Sequence, residues 1–127
     1  MIRVFVADAH PIVHKGLKAV FRNSNEISIV GKGLHYRDLV DHLGSKKVEI
    51  VVIEIELPGF EDIRTLRRLK DQYTNVRFLV FTTLSEEVYA ISALKYGASG
   101  FLCKDNPLNK LKDAILKIST GGVYITN

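Results

Sequence analysis

The chain has 127 residues, of which 46% are hydrophobic and 25% charged, and its formal net charge is +4. This balance is typical of one globular domain that buries a core without staples, and the single cysteine, Cys103, excludes an internal disulfide. The amino terminus is neither a signal peptide nor a membrane span, so we expect a soluble, cytoplasmic protein.

Short β-branched runs alternate with amphipathic stretches. In chain order the pattern predicts a strand at 2–7, a helix at 11–21, a strand at 27–31, a helix at 34–43, a strand at 48–53, a helix marked by Ile63, Leu66 and Leu69, a strand at 77–81, a helix marked by Val88, Ile91 and Leu94 that stops at Gly97, a strand at 99–103, and a last helix marked by Leu108, Leu111, Ile115 and Ile118 that ends at Gly121. Strands this apolar are covered on both faces, which predicts a doubly wound parallel α/β sheet between two helical layers. We expect residues 1–127 to form one domain.

Polar residues stand where four of the predicted strands end. Asp8 follows the first strand, Glu54 the third, Thr82 the fourth and Lys104 the fifth. Ligands of such sheets bind beyond the carboxyl ends of the strands, so we expect these side chains to lie together. Two carboxylates, a hydroxyl and an ammonium suit a hard cation and a phosphoryl-like anion. A structural acid–lysine pair at the strand ends is the alternative interpretation.

Several segments carry a family resemblance. Residues 6–13, Val-Ala-Asp-Ala-His-Pro-Ile-Val, resemble the opening of receiver domains of two-component response regulators of the NarL/FixJ (LuxR-type) class. Residues 57–59 resemble the Met-Pro-Gly turn of that class, 97–105 its Gly-Ala-x-Gly-Tyr-Leu-x-Lys-Asp segment, and 121–124 the exit into a linker before a helix-turn-helix domain. The resemblance covers about residues 2–124 and implies a five-stranded, flavodoxin-like sheet in the order 2-1-3-4-5.

The resemblance implies a role for each residue of the set. In that family two acids after the first strand hold Mg²⁺, and an aspartate after the third strand accepts a phosphoryl group. Asp8 matches the first acid, Thr82 the switch hydroxyl and Lys104 the lysine that follows the fifth strand, while Phe101 falls where an aromatic switch residue often sits.

Two positions depart from that pattern. Glu54 stands in place of the phosphoacceptor aspartate, and Ala9 in place of the second metal-binding acid. Glutamate is one methylene longer, and Mg²⁺ demands near-ideal octahedral geometry. We therefore expect phosphorylation to be absent or very slow, Mg²⁺ binding to be weak or absent, and no resident cofactor. Asp8 and Glu54 are the residual metal candidates.

The longer side chain suggests a specific hypothesis. Glu54 could pair with Lys104 and accept a hydrogen bond from Thr82, which would imitate a phosphoryl group in part and hold the domain in one conformation as a pseudo-receiver. The alternative is a domain that lost its switch and remains a dimerisation scaffold.

The resemblance also implies the wider function. We expect a phosphorylation-independent receiver, not an enzyme, that acts as a homodimer and controls transcription through a C-terminal helix-turn-helix domain of a longer product. DNA would bind that domain and not this segment, whose basic residues are dispersed. The sequence does not identify a partner kinase or a pairing surface, although Tyr89 is a candidate interface residue.

Three other kinds of site are incomplete in these residues. A flavodoxin-like cofactor site lacks a phosphate loop, because Asp-Ala-His-Pro follows the first strand. A phosphohydrolase with Asp8 as nucleophile lacks a second acid two residues on, where His10 stands. A metal shared by His10 and His14 lacks an evident third ligand.

Overall fold

The computed structural model describes residues 1–45 and 47–125. Within them, strands and helices alternate, and the elements are β1 (Ile2–Ala7), α1 (Pro11–Phe21), β2 (Ile27–Gly33), α2 (Tyr36–Ser45), β3 (Ile50–Ile53), α3 (Thr65–Gln72), β4 (Arg77–Thr82), α4 (Glu86–Lys95), β5 (Gly100–Cys103), α5 (Leu108–Ser119) and β6 (Tyr124–Ile125). Among the described residues, no helix combines the length and the apolar character needed to cross a membrane.

The strands form one parallel sheet in the order β2-β1-β3-β4-β5-β6. The predicted doubly wound α/β fold and the order 2-1-3-4-5 are therefore confirmed. The predicted count of five strands is wrong, because Tyr124 and Ile125 pair with Gly100 and Phe101 of β5 as a sixth strand. Two residues are too few to show a strand periodicity, so only the contact with β5 reveals this element.

The core has two layers, one on each face of the sheet. Helices α1 and α5 pack on one face, where Leu17, Leu111 and Ile115 meet strand residues such as Val52. Helices α2, α3 and α4 pack on the other, which includes Phe101. Alternate residues of each strand enter opposite layers, which explains why the central strands are apolar at every position.

Two helices start later than predicted or turn a different face inward. The backbone N–H groups of Leu34 and His35 donate to Asp38 Oδ2, both at 3.1 Å, so these residues precede α2. In α4, Val88 and Ile91, two of the apolar residues that predict this helix, are 67% and 73% exposed. Ala90 and Ala93 are buried instead, because small side chains let this helix lie close to the sheet.

Gly100 permits the sixth strand to lie against the fifth. A Cβ at this position would lie 2.9 Å from the carbonyl oxygen of Tyr124 and 2.9 Å from Ile118 Cδ1. Only glycine avoids these contacts, and the close approach of two backbones is a common reason for glycine within a strand.

Candidate functional site

Four predicted site residues lie at the carboxyl end of the sheet, and the backbone holds them there. Glu54 N–H donates to the carbonyl oxygen of Ala7 (3.0 Å), Asp8 N–H to that of Gly33 (2.9 Å), and Lys104 N–H to that of Thr82 (2.8 Å). These bonds extend the parallel ladders by one residue past β1, β3 and β5. The strand ends therefore share one edge, as parallel connectivity requires.

The side chain of Lys104 joins the two carboxylates. Its Nζ donates to Asp8 Oδ2 at 2.7 Å and to Glu54 Oε1 at 2.9 Å. The side chains of both acids are 3% exposed and that of Lys104 is 12% exposed. We call this arrangement the carboxylate bridge. Paired charges with short, charge-assisted hydrogen bonds are the form in which buried carboxylates are tolerated.

The remaining carboxylate oxygens also have donors. Asp8 Oδ1 accepts from the backbone N–H of His10 (2.8 Å) and from its ring Nδ1 (2.9 Å), which must carry the proton. Glu54 Oε2 accepts from the backbone N–H of Glu56 (3.1 Å). All four oxygens of the two acids are therefore satisfied within the protein.

The charges of the bridge shift two pKa values in opposite directions. Burial by itself raises the pKa of Asp8, but the hydrogen bond and charge of Lys104 and the contacts of His10 outweigh it, and the pKa of Asp8 lies below its ordinary value. Burial by itself lowers the pKa of Lys104, but hydrogen bonds and charges from Asp8 and Glu54 outweigh it, so that pKa is raised. Both groups are thus charged at neutral pH.

Thr82 lies at this edge but does not complete the expected arrangement. Its side chain is buried, and Oγ1 accepts from the backbone N–H of Leu84 at 3.3 Å. Among the hydrogen bonds of the described residues, none joins Thr82 to Glu54. The prediction that Thr82 donates a hydrogen bond to Glu54 is therefore wrong in this conformation, because the Glu54 carboxylate accepts from Lys104 and from the N–H of Glu56 instead.

Phe101 and Ala9 flank the site in different ways. Phe101 is fully buried among the side chains of the α2–α4 layer and contributes no exposed surface. Ala9 is partly exposed beside Asp8 and offers only a methyl group. The position that would hold a second acid thus adds no charge.

Two histidines belong to the site, and sequence reasoning gave them no role there. His10 contacts the Asp8 carboxylate, whereas His14 Nε2–H donates to the Asp8 carbonyl oxygen at 2.6 Å. A carbonyl oxygen only accepts, so the proton of His14 resides on Nε2. The sequence signal for these roles was their position: His10 precedes the first helical residue, and His14, four residues on, falls on the inner face of α1. The hypothesis of one metal held by both rings does not fit, because each ring binds a different group of Asp8.

The residues at this edge do not fit a magnesium site. Asp8 and Glu54 are already bridged by an ammonium group, and Ala9 offers no side-chain oxygen. In the part of the chain that the structure describes, no cluster of three His, Cys, Asp or Glu side chains could hold a metal ion. Mg²⁺ prefers several carboxylate, phosphate or water oxygens in an octahedron.

Comparison with known proteins adds a family. The model of the family described as "Response regulator receiver domain" matches residues 4–116. The Fimbriae Z protein of Escherichia coli (strain K12) is 32% identical over 121 residues, which are 95% of this chain and 58% of that protein. The nitrate/nitrite response regulator protein NarL of the same strain is 24% identical over 123 residues, 97% of this chain and 57% of that protein. The chain thus spans less than two thirds of these relatives.

A solved structure agrees with the fold. The crystal structure of a two-component response regulator of the LuxR family from Aurantimonas sp. SI85-9A1 superposes with a TM-score of 0.87 at 26% sequence identity. The similarity covers 98% of this chain and 88% of that one.

Proposed function

Because this chain belongs to the family of response regulator receiver domains, we propose that it is an atypical member that works without phosphorylation. In this proposal it is a pseudo-receiver of a two-component-type regulator, and Glu54 takes the place of a phosphorylated side chain. The observation that carries the proposal is the carboxylate bridge, in which Lys104 Nζ lies 2.7 Å from Asp8 Oδ2 and 2.9 Å from Glu54 Oε1.

Glu54 is poorly suited to accept a phosphoryl group. Its extra methylene displaces the carboxylate by about 1.5 Å relative to aspartate, the length of one C–C bond. Phosphoryl transfer depends on in-line placement, and a misplacement of about 1 Å can lower a rate by roughly a hundredfold. The nucleophilic oxygens are also engaged with Lys104 and with the N–H of Glu56.

The metal that supports such a transfer has no ready place either. A divalent cation between Asp8 and Glu54 would have to displace the ammonium of Lys104 from two short hydrogen bonds. The displaced ammonium would be a largely buried charge without its two partners, which costs free energy. The missing acid at position 9 would leave the cation with fewer ligands.

The bridge imitates a phosphorylated site only in part. A carboxylate carries one negative charge, against about 1.5 to 2 for a phosphate at neutral pH. Glu54 accepts a hydrogen bond from Lys104 but none from Thr82, whereas a phosphoryl group has three acceptor oxygens to share between lysine and hydroxyl. We infer that the domain rests in one stable conformation that needs no kinase.

We further propose that the output is transcriptional. The relatives are longer than this chain, and NarL and the Aurantimonas protein are named as response regulators, not as enzymes. In this proposal the full product carries a C-terminal DNA-binding domain, and homodimerisation of the receiver domain controls that domain. The exposed apolar residues of α4, Val88 and Ile91, supply the pairing surface in this proposal.

The test is an NMR titration with Mg²⁺ and beryllofluoride, a phosphoryl mimic. The wild-type chain should show no shifts at Thr82 and Lys104, whereas the Ala9→Asp/Glu54→Asp double variant should respond. Each single variant serves as a matched control that separates the metal position from the acceptor position. A wild-type response that saturates at the same concentrations as the double variant would overturn the proposal.

A dimerisation scaffold without switching is the second candidate. The observation in its favour is that all four carboxylate oxygens are satisfied internally, which leaves no vacant acceptor for an incoming signal. Comparison of the dimer dissociation constants of the wild type and Glu54→Gln separates the two. If the domain is a scaffold, the two proteins should have the same dimer dissociation constant. If it is a pseudo-receiver, the dimer of Glu54→Gln should be weaker, because the charge of Glu54 is removed.

A further inference from the structure

A groove between α1 and β2, which we call the α1–β2 groove, lies outside the carboxylate bridge. Its volume is about 530 Å³, within the range of roughly 300–1,000 Å³ that small-molecule sites occupy. The strand β2 lies at the edge of the sheet, so one side of the groove is open. None of the roles discussed above uses this groove.

The floor of the groove is aliphatic. Val6, Leu17 and Ile29 line it, and all three belong to or pack against the core layer of α1 and α5. Val6 and Leu17 are almost completely buried, so a molecule that touches them must be narrow. This floor suits an unbranched or lightly branched aliphatic chain better than the broad surface of a folded protein.

The rim of the groove is basic. Lys15 and Lys18 lie on one face of α1, separated by about one turn, and Lys32 lies opposite on β2. All three side chains are exposed, and none of them takes part in an ion pair among the described residues. No acidic residue is among the described residues that line the groove. Three unneutralised ammonium groups around one opening favour an anion.

We propose that the α1–β2 groove binds a small amphipathic anion, a carboxylate or phosphate head on an aliphatic body. The head would be held by Lys15, Lys18 and Lys32, and the body would cover the aliphatic floor. Burial of such a chain removes apolar surface from water, which favours binding. The proposal goes beyond the proposed function, because it does not require that phosphorylation be absent.

His14 connects this groove to the carboxylate bridge. Its ring lines the groove, and its Nε2–H donates to the carbonyl oxygen of Asp8 at 2.6 Å. Asp8 in turn accepts from Lys104. A molecule in contact with the ring is therefore one hydrogen bond from the peptide group of a bridge residue, which would give a receiver without phosphorylation a chemical input.

The experiment is an NMR titration of the 127-residue chain with decanoate and, in a second arm, decyl phosphate, both below the concentration at which they form micelles. We expect saturable shifts at groove residues and at the Asp8 amide. Decanol and decyltrimethylammonium, which share the chain but lack the negative charge, should bind at least tenfold more weakly. The arm that binds more tightly distinguishes a carboxylate from a phosphate head.

Matched variants locate the site. Lys15→Gln/Lys18→Gln/Lys32→Gln should weaken binding at least tenfold, whereas Lys47→Gln/Lys95→Gln/Lys110→Gln, which removes three exposed lysines elsewhere, should not. Equal weakening in both, equal binding of decanol, shifts mapped outside the groove, or no binding of either anion would overturn the proposal. A groove response without an Asp8 response would overturn the connection through His14. The beryllofluoride titration is independent of all these outcomes.

Discussion

Glu54 and Lys104 meet although their strands are not neighbours: Lys104 Nζ lies 2.9 Å from Glu54 Oε1 across the end of β4. The same ammonium reaches Asp8 Oδ2, so three charges share one buried edge with a net charge of one negative unit. This relationship explains why the site can be stable without a metal or a phosphoryl group. The following predictions test the contacts that hold it and the surfaces around it.

Replacement of Lys104 by methionine should destabilise the fold by about 3 kcal/mol at pH 7, because two buried carboxylates lose their counterion. Without Lys104, burial should raise the pKa of Asp8 above its unfolded value, so protonation favours the folded state and the penalty should shrink as the pH falls toward about 5. Urea unfolding from pH 4 to 8 measures this. Lys110→Met, at an exposed position, should stay within about 0.5 kcal/mol of the wild type. A pH-independent penalty would contradict the assignment.

The wild-type chain should lose the contribution of the bridge at both ends of the pH range. The lowered pKa of Asp8 means that its stabilisation is complete above its unfolded value near 3.9 and is lost as the pH falls through the folded value. The raised pKa of Lys104 means that its stabilisation is complete below about 10.4 and is lost as the pH rises through the folded value. Between these limits, the thermal unfolding midpoint should therefore vary less with pH in the wild type than in Lys104→Met.

Replacement of His14 by alanine should cost about 1 to 3 kcal/mol, because the buried Asp8 carbonyl oxygen loses a hydrogen bond. His10→Ala should cost less, since its ring is 64% exposed and Asp8 Oδ1 keeps the backbone N–H as a donor. Chemical denaturation of both variants gives the comparison. A larger loss in His10→Ala would show that the carboxylate contact, and not the carbonyl contact, positions Asp8.

Replacement of Gly100 by alanine should destabilise the fold by about 1 to 3 kcal/mol, because the new methyl group meets the Tyr124 carbonyl oxygen and Ile118. Hydrogen exchange at Tyr124 should accelerate as β6 separates. Gly44→Ala in α2 is the matched control: no heavy atom lies within 4 Å of the added Cβ, so a gain of up to about 1 kcal/mol is expected. An unchanged β6 in Gly100→Ala would mean that the backbone can move to accept the methyl group.

Val88→Lys/Ile91→Lys should weaken the proposed homodimer without unfolding the chain, because both side chains are exposed and a charge there opposes apolar pairing. Analytical ultracentrifugation measures the dissociation constant, which we expect to rise at least tenfold. Ile12→Lys changes a residue that is 75% exposed on α1 and should leave the dimer intact. The reverse pattern would move the pairing surface from α4 to α1.

Much of the fold followed from local pattern. The bounds of β1 and α1 agree with the prediction, because a β-branched run followed by proline at the first helical position is a strong local signal. The family predicted from the segments around Asp8 and Lys104 is confirmed by the match over residues 4–116. The inward face of α4 was not predictable, since alanines at 90 and 93 face the sheet more closely than the larger residues that usually mark a core.

Sequence alone determined which residues meet at the carboxyl edge, because strand order and parallel connectivity place Asp8, Glu54, Thr82 and Lys104 together whatever their rotamers. Tertiary structure decided which of them bind one another. Lys104 donates hydrogen bonds to both carboxylates, Thr82 accepts one from the Leu84 backbone N–H, and His14 donates one to the Asp8 carbonyl oxygen. Which hydrogen bonds form depends on differences in distance of roughly a few tenths of an ångström between side chains far apart in sequence. No local sequence pattern encodes such differences. Hydrophobic periodicity, in contrast, is a local property that can be read directly from the order of the residues.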